Sequence, residues 1–143
     1  MGNLTITEVG QQLPAVSKTI SQAKIDQFER VGIREGHFDK SIHTSAAAAS
    51  QAGVGAPIAS GRMQLAFVTE VMHNFFDEEW AKSGRISLSF LKPVRDGDTI
   101  IAKGAFKERV KEDGAERLVF DVWCEGLTGE KHSAGTASAR VAP

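Results

Sequence analysis

Two histidines, an aspartate and a lysine fall within eight positions in GHFDKSIH, residues 36–43. A carboxylate and a neutral imidazole held close together can share the movement of a proton, because burial and mutual charge tune both toward neutrality. His43 is one such group, and Asp39 or His37 is its partner if the loop bends to bring either round. Fourteen residues after His43 begins PIASGRM, residues 57–63. A helix starting at Ser60-Gly61 aims unpaired backbone N–H groups outward, and its dipole favours negative charge there. Gly61 has no side chain to block approach. Proton-transfer groups in one stretch and an N–H donor in the other would make two halves of one site.

Each of these residues also has a plainer use. His43 can cap or brace the helix that starts at Thr44, Asp39 can be a solvated turn residue, and Gly61 can be small because two elements pack closely there. Arg62 sits where a cation opposes the helix dipole, so it meets a carboxylate or phosphate of a ligand, or it reaches solvent. Thr69, eight residues past Gly61, falls on roughly the same helical face. A lone Thr in a buried helix commonly bonds back to its own backbone. His73 and His132 read as surface residues. His37 and His43 have no third convincing ligand, so no metal site is expected, and no cofactor either.

The elements that must position these groups are legible in outline. LPAVSKTIS (13–21) reads as a short first strand. Ser21 can cap a helix through QAKIDQFERV, with Ile25, Phe28 and Val31 on one face and Gly32 ending it. HTSAAAASQAGVG reads as a short helix capped by Thr44 or Ser45 and closed by Gly53 and Gly55. In SGRMQLAFVTEVMHNFF (60–76), Met63, Phe67, Val71 and Phe75 form one stripe, and Leu65, Val68, Met72 and Phe76 a second beside it. So wide an apolar arc predicts a helix with most of its girth buried. The second half supplies the wrapping. RISLSFL alternates Ile86, Leu88 and Phe90 against Ser87 and Ser89. KPVRDGDT is a turn segment, and IIAKGAFKERV and ERLVFDVWCEGL flank KEDGA as a hairpin. HSAGTASARVA is a last strand. Strands joined in this way form an antiparallel sheet, and one curled around the buried helix is the simplest architecture that fits: α+β, a single domain over residues 1–143.

Composition narrows the function. The 143 residues suit one domain, and a net charge of −1 with the signs mixed gives no basic face for nucleic acid. The one cysteine, Cys124, allows no internal disulfide and no multi-cysteine metal site, and strand-like neighbours suggest an inert buried thiol. No apolar run is long enough to span a bilayer. No apolar stretch follows the first Met, so no signal peptide is expected. Ile6 breaks the myristoylation pattern that Gly2 would begin. A cytoplasmic protein without a membrane partner is expected.

The chain resembles the MaoC-like, or (R)-specific enoyl-CoA hydratase, branch of the hot-dog fold. The similarity covers most of its length. ITEVGQQLPAVSKTIS followed by IDQFERV resembles the family's opening, PIASG its Pro-Ile-x-His-Gly approach to the central helix, and GTASARV its closing strand. SLSFLKPVRDGDTI resembles its Phe-x-x-Pro-Val-x-x-Gly-Asp segment, the most specific match. The family's hydratase motif is Asp-x-Asn-Pro-x-His. His43 fits its last position and Ile42 the one before. Without a gap, Phe38, Lys40 and Ser41 stand on the Asp, Asn and Pro positions. With one residue inserted, His37 takes the acid's place and Asp39 lies in the extra loop residue. Neither alignment puts a carboxylate on the motif's Asp.

The resemblance implies a hydro-lyase acting on an acyl thioester, carried by coenzyme A or otherwise, with no cofactor. Water addition needs a base, an acid for the α-carbon and a holder for the charge on the thioester oxygen. His43 with Asp39 or His37 would serve the first two, and the Gly61 N–H, beside Ser60 and Arg62, the third. Thr69 stands where the family often has a small hydroxyl that orients the acid. Phe38, Met63, Phe67 and Phe90 could line or close an acyl tunnel. A thioesterase is a second reading, although Glu70 is the only acid in the helix. A non-catalytic or ligand-binding subunit paired with an active partner is a third. Hot-dog sheets commonly pair edge to edge, which implies a homodimer or a dimer of dimers.

Overall fold

A computed structural model of the chain describes residues 4–32 and 36–142. Gly2 lies outside the described residues. Five strands and four α-helices follow in the order β1 (Val16–Thr19), α1 (Gln22–Glu29), α2 (Ala46–Gln51), α3 (Gly61–Phe76), α4 (Glu78–Ser83), β2 (Arg85–Phe90), β3 (Thr99–Glu112), β4 (Ala115–Glu125) and β5 (Lys131–Arg140). A short 3-10 turn, Phe38–Lys40, precedes α2. The strands make one antiparallel sheet in the order β1-β3-β4-β5-β2, so β1 and β2 are its edges.

The long β3–β4 hairpin turns on Asp113-Gly114, both at positive φ (50° and 77°). Such a two-residue turn matches the natural twist of the strands, and Asp-Gly adopts it readily. A bulge between Phe106 and Glu108 interrupts the register and bends the strand. On the concave face Ile100, Ala102 and Phe106 of β3 and Leu118, Phe120, Val122 and Cys124 of β4 are buried. They close over α3, which buries Met63, Phe67, Val68, Val71, Met72 and Phe76. Burying side chains of this size stabilises by about 1.5–3 kcal/mol each. This is the hot-dog arrangement, a curved antiparallel sheet around a central helix.

Several local expectations need correction. Helix α1 ends at Glu29, and Val31 beyond it is 91% exposed rather than on the buried face with Ile25. Of the two possible caps for α2, Ser45 takes the role, its side chain accepting from the Ala48 N–H. Asp77 at φ 52° ends α3, and α4, which the sequence reading passed over, follows at once. His132 is buried at 2% exposure, because the Pro93 carbonyl lies 3.1 Å from its Nδ1 and gives it a partner inside. Phe90, at the end of β2, is 51% exposed and leaves the partly buried alternation begun by Ile86 and Leu88.

Candidate active site

His43 stands on the irregular segment between the 3-10 turn and α2, and hydrogen bonds hold it on several sides. Its N–H donates to Ser41 Oγ (3.1 Å), and its carbonyl accepts from Gln22 Nε2 on α1 (2.9 Å). Its Nδ1 lies 2.7 Å from the carbonyl oxygen of Ile58. A carbonyl can only accept, so Nδ1 carries the proton and neutral His43 keeps its lone pair on Nε2. The segment leading into α3 is fixed in turn. The Ile58 N–H donates to the Ile42 carbonyl (3.2 Å) and the Ala59 N–H to the Val94 carbonyl (2.7 Å). The Arg95 guanidinium clamps the carbonyls of Ala56 (2.6 Å) and Val54 (2.8 Å).

These bonds bring the two sequence stretches to one cavity of about 280 Å³. His43, Ile58, Ala59, Gly61 and Gln64 line it from the helix side, and Phe90, Leu91, Lys92 and Pro93 from the segment that follows β2. The Gly61 N–H, in the first turn of α3, has no carbonyl one turn earlier in the helix to bond, whereas the Met63 N–H donates to the Ser60 carbonyl (3.0 Å). The Phe90 ring lies against Gly61: a Cβ there would stand 2.6 Å from it. A side chain at 61 would therefore displace the Phe90 ring. Among the described residues no carboxylate lines the cavity.

The other expected site residues fall elsewhere. Asp39 and His37 are exposed on and beside the 3-10 turn, and among the described residues no hydrogen bond joins either to His43. Phe38, between them, is half-buried under the Arg30 guanidinium, 5.0 Å from its ring centre, and its carbonyl accepts from the Thr44 hydroxyl. Ser60 is the N-cap of α3, yet its hydroxyl caps nothing and is buried without a hydrogen-bond partner. Arg62 pairs at 3.0 Å with Glu29, whose side chain is 2% exposed. A neighbouring carboxylate thus offsets the cation that opposes the helix dipole. Thr69 is half-buried, about 12 Å along the axis from Gly61 at 1.5 Å per residue, and is not a lining residue.

Sequence reasoning missed Gln64. It is 3% exposed, lines the cavity, and its Oε1 has no partner. The signal was present: an amide stands between Met63 and Leu65, on the face shared by Gly61 and Val68. Cys124 is buried behind the helix with its thiol 3.9 Å from the Gln64 carbonyl, and burial pushes its pKa up to about 11. It does not supply a nucleophilic thiolate. Among the described residues no three His, Cys, Asp or Glu side chains gather as a metal site, and no helix is long and apolar enough to cross a membrane.

Comparison with known proteins gives this geometry a relation. No curated protein matches the sequence. Among solved structures, the monoamine oxidase regulatory protein from Archaeoglobus fulgidus is similar in fold, with a TM-score of 0.76 and 21% identity over 96% of this chain and 93% of that one. The (R)-hydratase from A. caviae involved in PHA biosynthesis gives 0.73 and 20% over 95% and 98%. The ChsH1-ChsH2 complex from Mycobacterium tuberculosis gives 0.74 and 16% over 96% and 100%. The MaoC like domain matches residues 5–126, most of the chain, and with the helix-wrapping sheet and the His43–Gly61 cavity in view, the protein belongs to that family.

Proposed function

We propose that the protein is a hydro-lyase that adds water to, or removes it from, an acyl thioester, a 2-enoyl and 3-hydroxyacyl pair. The carrying observation is that His43, with its free Nε2, and Gly61, at the start of α3, line one cavity. In the hydration direction His43 Nε2 takes a proton from water as the oxygen bonds to the β-carbon. The double-bond electrons move to the thioester oxygen, where the Gly61 N–H and the positive end of α3 stabilise the enolate. The α-carbon then takes a proton from the imidazolium, or from Asp39 or His37 if the 3-10 turn rearranges. Phe90, Leu91 and Pro93 give the cavity an apolar side against which an acyl chain can lie. A cytoplasmic homodimer, free of nucleic acid and membrane, is the proposed setting.

Assay with crotonyl-CoA, 3-hydroxybutanoyl-CoA and butanoyl-CoA tests the reading. Loss and recovery of the conjugated thioester absorbance supports it. Free thiol would instead indicate a thioesterase, although Glu70 pairs with Lys18 at 2.8 Å and no acid among the described residues lines the cavity. The lack of a carboxylate among the described lining residues favours one second reading: a ligand-binding subunit completed by another chain. Binding without turnover would favour it.

A further inference from the structure

Gln64 is the strongest unexplained group in the molecule. Buried side-chain amides are nearly always hydrogen-bonded, and leaving one without partners costs about 1–3 kcal/mol. Here the residue is 3% exposed, its Oε1 is buried without a partner among the described residues, and it forms part of a cavity wall otherwise made by His43, Gly61, Lys92 and apolar groups. A leucine or methionine would fill the same space at no such cost, so packing does not account for the amide.

Its place on α3 gives it a use. Gln64 is three residues beyond Gly61, on the same face of the helix. Side chains on a helix lean toward its N-terminus and cover the preceding turn. Those directions aim the Gln64 side chain toward the turn that begins with Gly61. The unpartnered atom is the carbonyl oxygen, an acceptor; a half-turn about the terminal bond exchanges it for the NH₂, a donor. Glutamine side chains serve as oxyanion donors when preorganised in this way.

We propose that Gln64 is a second hydrogen-bond donor to the thioester oxygen, acting beside the Gly61 N–H. This rests on reading the cavity as an acyl-thioester site. It assigns the amide a ligand class, a carbonyl oxygen on which negative charge develops, and it makes up in the oxyanion site part of what the missing carboxylate removes from the proton-transfer site.

The test is the carbonyl stretch of butanoyl-CoA labelled with ¹³C at the thioester carbonyl, measured by difference infrared spectroscopy on wild type, Gln64→Met and Gln64→Leu. Methionine keeps length and volume, so folding is retained if leucine disturbs it. Two donors lower the bound frequency in wild type below that in solution. Either variant returns it part of the way while still binding the ligand. In the crotonyl-CoA assay the same variants lose about 100-fold in kcat with KM changed little, the scale of one lost oxyanion donor. An identical lowered frequency in wild type and in both variants overturns the role of Gln64 alone. Failure of wild type to bind butanoyl-CoA overturns the acyl-thioester reading together with it.

Discussion

At His43 the decisive feature is the bond to a carbonyl that cannot donate. The Ile58 oxygen, 2.7 Å from Nδ1, keeps one tautomer and leaves Nε2 as a base. His43→Ala is expected to lower turnover at least about 100-fold while the fold survives, because the backbone bonds of residue 43 remain; steady-state kinetics with circular dichroism checks both halves. Asp39→Asn and His37→Ala separate the candidate partners. Exposed as they are in the 3-10 turn, either must move to act, so an effect on kcat without one on ligand affinity marks the one that does. If both variants keep full activity, His43 acts without them. The tautomer could not be read from the sequence, because Ile58 is fifteen residues away and its carbonyl is turned toward His43 by tertiary bonds, such as the one from its own N–H to Ile42. Gln64 could have been read, since one amide interrupts two apolar stripes.

Among the elements, α3 and the hairpin were legible because their patterns repeat: two apolar stripes at helical spacing, and alternation on either side of Asp113-Gly114. Helix α4 was not, because the apolar run stops at Phe76 and the chain restarts a helix after one residue at positive φ. Nor was the fate of Arg62, which depends on α1 packing across the start of α3. There Glu29 is nearly fully buried with one oxygen on Arg62 and Oε1 unpartnered. Arg62→Leu strands that carboxylate. A loss of about 2 kcal/mol is expected, below the ~3–5 kcal/mol of a fully buried pair, because the Arg62 side chain is 56% exposed. Adding Glu29→Gln should recover much of it. Urea denaturation of the two single variants and the double variant measures the coupling, and additive losses would mean that the pair is not a unit.

Over the whole molecule two features remain outside the site. One is a cluster at the far end of the sheet, where Arg85, Arg140 and Arg117 surround Glu112 and hold its carboxyl at about 2. A carboxylate lowered on folding contributes stability that is present above its unfolded value and is lost as pH falls toward the folded one. Stability should therefore decline from about pH 4.5 to about pH 2, and Glu112→Gln should flatten that decline, as followed by melting temperature against pH. The other feature is the open edges. Strand β2 presents one side to β5 and leaves the other without a strand. Beside it Phe90 and Leu91 are 51% and 61% exposed, next to the mouth of the cavity. An unpaired edge flanked by apolar side chains invites association unless another chain covers it. Two-fold pairing would satisfy both the edge and the patch, since a symmetric contact matches the same surface with itself. Multi-angle light scattering at micromolar concentration should then give twice the 15.4 kDa of one chain, or a further doubling. A strictly monomeric protein would overturn this and would leave the β2 edge for a different chain. In that case coexpression with a hot-dog partner carrying the missing carboxylate should produce a stable two-chain complex with hydratase activity.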